Sequence, residues 1–95
     1  AGCQALLLAK LADVGFQIQT FSHEGADSFW ATHGEGKPLI VLAGHTDVVP
    51  VGQEDAWSTP PFVLTRQHET LFGRGVADMK GSLVCMLAAA VDYLK

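Results

Sequence analysis

Long apolar runs, clustered positive charge and cysteine are all scarce in this sequence. Its most apolar stretch, Leu83 to Val91, is far shorter than the about 20 residues a helix needs to cross a bilayer, so no membrane span is expected. No basic leader precedes the first apolar run, and no secretory signal is expected. The 6 Lys and Arg residues are scattered and the net charge is −4, which leaves no basic stripe to neutralise phosphates. Nucleic acid is therefore not an expected partner. The 2 cysteines, Cys3 and Cys85, sit among aliphatic residues with no spacing suited to a disulfide or a metal site. They read as buried free thiols in a reducing compartment, the cytoplasm.

Two common chemical motifs are also missing. Gly73-Arg74-Gly75-Val76-Ala77-Asp78 lacks the third glycine of the dinucleotide fingerprint, and Lys80-Gly81-Ser82 does not follow the glycine spacing of a P-loop. No serine stands in a nucleophile elbow, which sets aside a Ser-His-Asp triad. No internal repeat or low-complexity segment occurs.

What is present suits one small α/β domain over residues 1–95. A chain of this length buries only about 60–70% of its unfolded surface, so it has little stability to spare. Cys3, Leu7, Leu11 and Val14 recur at helical spacing, and Gly15 follows as a stop. Phe16 to Phe21 alternates as a half-buried strand. Ser22 to Ser28 reads as a turn, Phe29 to His33 as a second strand, and Gly34 to Pro38 as a tight connection. Leu39 to Ala43 is apolar without alternation, the pattern of a central strand covered on both faces. Val51 to Pro61 is irregular. Phe62 to Arg66 and Thr70 to Gly73 flank a turn and form a hairpin. After Asp78, Leu83, Leu87, Ala90 and Leu94 keep the helical period. The expected architecture is a mixed sheet flanked by helices. The chain begins in one helical pattern and stops in another without terminators, so a piece of a longer protein is expected.

The central apolar run delivers His45 and Asp47 two residues apart. Both can project to one side of an extended chain. A metal-bound imidazole usually donates its other N–H to a carboxylate or carbonyl, and this pair has the right types for that. Asp78 stands at a strand-to-helix junction, where a carboxylate can bridge two metal ions. Each residue also has a plainer reading. His45 can be a packed histidine and Asp78 a helix N-cap, although Gly81 stands where a capping box would place Glu or Gln.

GHTDVVP (Gly44 to Pro50), W-x-x-P-P-F (Trp57 to Phe62) and LFGRGVADMKGSL (Leu71 to Leu83) together resemble the M20 zinc aminoacylase/carboxypeptidase family of co-catalytic metallohydrolases. The likeness covers nearly the whole chain, including the GCQALL start and the FWA segment. FGRG, Pro60-Pro61-Phe62 and FWA are most similar to the members that act on succinylated diaminopimelate. The resemblance implies a partial zinc-exopeptidase-like catalytic domain. It implies that His45 binds one of two zinc ions, that Asp47 is the catalytic-site residue orienting it, and that Asp78 bridges the ions. Cobalt can stand in for zinc. The family's general base is the first of two adjacent glutamates. No such pair occurs here, and the only acidic residue beyond Asp78 is Asp92. The implied reaction of the complete protein converts a small-molecule substrate, N-succinyl-LL-2,6-diaminopimelate, to succinate and the free diamine. It serves lysine and cell-wall precursor synthesis, in a homodimer joined through a separate lid domain. Other family chemistries, such as deacetylation of N-acetylornithine or peptide hydrolysis, stay open. So does a non-catalytic α/β binding module. The 95 residues alone are expected to be inactive.

Overall fold

The computed structural model describes residues 2–95. The chain divides into two units, one running up to Leu42 and including Leu87–Lys95, the other spanning Ala43–Met86. Both contain helix and antiparallel sheet, in keeping with the expected α/β class.

The first unit opens with helix α1, Cys3–Asp13. Gly15, at φ +91°, ends it. The Gly15 N–H donates to Ala12 O at 3.0 Å and the Phe16 N–H to Leu11 O at 3.1 Å. These paired bonds are those of a Schellman motif, which needs a left-handed residue where the glycine stands. Leu7 is the buried apolar side chain of this helix. The Phe16 and His33 rings meet at 5.3 Å between centroids.

Strands β1 (Gln17–His23) and β2 (Ala26–Thr32) form an antiparallel hairpin in which His23 pairs with Ala26. The expected Ser22 to Ser28 turn contracts to Glu24-Gly25. Both have positive φ, 50° and 82°. Two left-handed central residues match the twist of the flanking strands, so pairing runs through to the turn.

The central strand expected at Leu39 to Ala43 does not form. Leu39 and Ile40 are 76% and 79% exposed. A strand needs a ladder partner and cover for its apolar faces. Each hairpin among the described residues pairs only within itself, so this segment has neither. The sheets formed are accordingly two antiparallel hairpins in place of one mixed sheet.

In the second unit, a 3₁₀ turn at Glu54–Ala56 leads to Trp57, whose indole N–H donates to Val51 O at 3.0 Å. Strands β3 (Thr65–Gln67) and β4 (Thr70–Phe72) make the expected second hairpin, shorter than the sequence suggests. Phe62, Val63 and Leu64 stay exposed and outside it. A kinked turn over Val76–Lys80 follows, closed by the Lys80 N–H on Gly75 O at 2.8 Å. Helix α2, Gly81–Leu94, runs across the boundary between the units and carries no buried residue. The burial expected of both thiols is therefore not reached: Cys3 is half-buried and Cys85 exposed. No helix among the described residues is long and apolar enough to cross a membrane.

Candidate metal-binding site

The second unit brings His45, Asp47 and Asp78 together. His45 follows Gly44, and a Cβ on Gly44 would fall 2.7 Å from Leu83 Cδ2 and 3.0 Å from Met79 Cε. Only a residue without a side chain lets this backbone approach the start of α2. Asp78 sits in the kinked turn with non-helical angles, φ −130° and ψ 89°, so the helical path is interrupted at the residue itself. Gly75 begins the turn at φ +84°, and a Cβ there would meet Val48 Cγ1 at 2.5 Å.

The His45 ring lies between two acidic residues. Its Nε2 is 3.0 Å from Asp78 Oδ1. Its Nδ1 is 3.1 Å from the Asp47 carbonyl oxygen and 3.2 Å from Asp47 Oδ1. The His45 side chain is 46% exposed, and the two carboxylates are far more open. The imidazole pKa is raised above its usual 6.5, chiefly by the hydrogen bond to the Asp47 backbone. The charges of Asp47 and Asp78 add to the rise, and desolvation opposes it.

Both ring nitrogens thus face acceptors only. A neutral imidazole has one N–H and can satisfy one side. The ring therefore needs either a second proton or another cation at Nε2. In the tautomer that carries its proton on Nδ1, directed at Asp47, the Nε2 lone pair and the Asp78 carboxylate would form a donor set suited to zinc. Their 3.0 Å separation is a few tenths of an ångström short of the about 3.3–3.6 Å between two tetrahedral donors on one zinc ion. Among the described residues, no group of three or more His, Cys, Asp or Glu is arranged to hold a metal ion by itself.

These side chains line a cleft of about 160 Å³ together with Val48, Val49 and Arg74. The Arg74 guanidinium carbon lies 4.9 Å from the centre of the Trp57 ring, a cation–π contact. Its Nε is buried without a hydrogen-bond partner among the described residues. The Lys80 ammonium donates to the Thr46 carbonyl at 3.0 Å. Neither cation stands out in the sequence as a chemical residue. Lys80 carried a faint signal, two residues beyond Asp78. Nothing in the spacing of Trp57 and Arg74 marks them as neighbours.

The family model for peptidase family M20/M25/M40 matches residues 41–95, more than half of the chain and all of this site. The chain belongs to that family. Curated relatives match 99–100% of it. A protein of Xylella fastidiosa (strain 9a5c) is 48% identical over 94 residues, 99% of this chain. One of Coxiella burnetii (strain RSA 493 / Nine Mile phase I) is 46% identical over 95 residues, 100% of it. One of Stenotrophomonas maltophilia (strain R551-3) is 48% identical over 94 residues. Each bears the name succinyl-diaminopimelate desuccinylase. The chain spans 25% of the length of each.

Proposed function

We propose that this chain is the N-terminal part of the catalytic domain of a di-zinc amidohydrolase. The complete enzyme hydrolyses N-succinyl-LL-2,6-diaminopimelate to succinate and LL-2,6-diaminopimelate, as a cytoplasmic homodimer supplying lysine and cell-wall precursors. The observation that carries the metal site is His45 held at Nδ1 by Asp47 while Nε2 faces Asp78 Oδ1 at 3.0 Å. The names of relatives 46–48% identical to the chain support the substrate.

In this reading His45 and Asp78 hold zinc, with cobalt as a competent replacement, and Asp47 fixes the tautomer and direction of His45. Bound zinc acidifies a water and polarises the amide carbonyl. Asp78 brings negative charge to the site, and Asp47 keeps a proton on Nδ1 so that the Nε2 lone pair stays free for the ion. The residue that accepts the proton of the water and passes it to the leaving amine lies outside these 95 residues. Asp92 is in the last turns of α2, paired with Lys95 at 3.8 Å, and is not a candidate.

The test is an assay of succinate release by the full-length enzyme that carries this segment, with and without His45→Ala and Asp78→Asn. Both variants are expected to lose about 10²-fold or more in kcat and to bind less than the full complement of zinc. The 95 residues alone are expected to release no succinate. Full activity in both variants, or faster release of acetate from N-acetylornithine than of succinate from the proposed substrate, overturns the assignment.

A further inference from the structure

Lys80 has no part in the site as described so far, yet it joins the two segments that carry it. The Thr46 carbonyl lies between His45 and Asp47 in sequence. Lys80 lies two residues beyond Asp78. The ammonium of one donates to the carbonyl of the other at 3.0 Å, in a half-buried setting. Apart from the His45–Asp78 contact, no other hydrogen bond among the described residues links residues 45–47 to the Asp78 turn.

A second observation points the same way. The Lys80 ammonium passes close above Gly75, where a Cβ would come within 3.3 Å of Nζ and 2.5 Å of Val48 Cγ1. The left-handed glycine, at φ +84°, thus leaves room for the lysine head and for Val48 at once. The Lys80 backbone N–H meanwhile bonds Gly75 O at 2.8 Å. One residue therefore closes the kinked turn with its main chain and ties that turn to the His45 loop with its side chain. Unlike Lys95 and Arg66, it has no carboxylate partner within salt-bridge range among the described residues. Its charge is engaged by a carbonyl dipole.

We infer that Lys80 is a positioning residue for the metal site: its bond to the Thr46 carbonyl keeps the segments carrying the His45 imidazole and the Asp78 carboxylate together, so that both can turn to one ion. This rests on the metal-site reading given above. A positively charged group near a cation site has two opposed effects. As a charge it repels the metal, so its removal tightens binding. As a tether it orders the donors, so its removal weakens binding. The inference is that the tether dominates, which fixes the sign of the result.

The experiment uses the full-length enzyme and titrates cobalt against a competing chelator, recording the cobalt absorption spectrum, the thermal melt and the kcat and KM for the succinyl amide. Lys80→Met keeps the aliphatic stem and removes the donor. It is expected to weaken cobalt binding about 10–100-fold, to change the cobalt spectrum, and to lower kcat while KM stays within about twofold. Should Lys80→Met not fold, Lys80→Cys takes its place. Treatment with 2-bromoethylamine rebuilds an ammonium on a stem of the same length, and wild type treated in parallel controls for Cys3 and Cys85. Recovery of cobalt affinity by about tenfold or more supports the tether. Unchanged or tighter cobalt binding in Lys80→Met, or in untreated Lys80→Cys, overturns it. A lowered melting temperature with an unaltered cobalt spectrum does so as well, because that marks a merely structural contact. His45→Ala separates the two levels. If it leaves cobalt binding intact, the metal-site reading fails and the tether with it. If it removes a cobalt equivalent while Lys80→Met binds normally, the tether alone fails.

Discussion

His45 is asked to satisfy acceptors on both sides of one ring, and that demand defines its chemistry. A second ring proton meets that demand, so the pKa is raised, first through the Asp47 carbonyl and then through the two carboxylates. The raised pKa fixes the sign of the pH dependence. Protonated His45 stabilises this arrangement fully below the ordinary value near 6.5, and the contribution is lost as pH climbs through the raised folded value. In the metal-site reading proposed above, a proton and a metal ion compete for the same Nε2 lone pair. Zinc affinity should therefore fall as pH drops through that raised value. An NMR titration of the metal-free protein is expected to place the His45 midpoint above 6.5. Asp78→Asn should bring it only part of the way back, because the leading cause is the Asp47 backbone. A midpoint below 6.5, or full reversion on losing Asp78 alone, would contradict this balance. That His45, Asp47 and Asp78 come together could be framed from sequence, because their types and spacings suit one shared site. Lys80 and Arg74 could not, since a lysine bonded to a carbonyl and an arginine lying on an indole leave no periodic trace.

At the scale of elements, legibility followed how local the cause is. Helix α1 and its stop were readable because propensity, stripe and glycine act within one segment. The β1–β2 hairpin was readable too, but its turn was misjudged: Glu24 is an unusual residue for a left-handed position, and it concealed a two-residue connection. Leu39 to Ala43 failed for a different reason. Its pattern encodes burial on both faces, and burial depends on partners that this segment does not supply. The kinked turn was the least readable element, because it depends on close approach. Gly75→Ala should cost about 1–2 kcal/mol for a left-handed residue with a side chain. A further about 1–3 kcal/mol comes from crowding against Val48. Adding Val48→Ala should relieve the crowding and leave the backbone cost, so the double variant should be less destabilised than the sum of the singles. Urea unfolding of the longer protein proposed above measures this coupling. Strict additivity would mean that Gly75 and Val48 are not in contact.

Across the whole molecule, the composition promises more burial than the chain achieves. Nearly half of its residues are apolar, 48%, yet Leu7 is the buried hydrophobic side chain among those described. In the first unit Leu39, Ile40 and Tyr93 are open to solvent, and in the second Phe62, Val63 and Leu64. Runs of adjacent exposed apolar side chains on this scale are rare on stable monomers. The chain also spans only 25% of the length of its curated relatives. The 95 residues expressed alone should therefore bind a hydrophobic dye strongly and self-associate, with a sedimentation profile that shifts to larger species as concentration rises. Within the longer protein proposed above, the same residues should bind little dye. A monodisperse 95-residue monomer without dye binding would show that these apolar runs can be covered within the chain itself, and would remove the argument that they await cover from elsewhere.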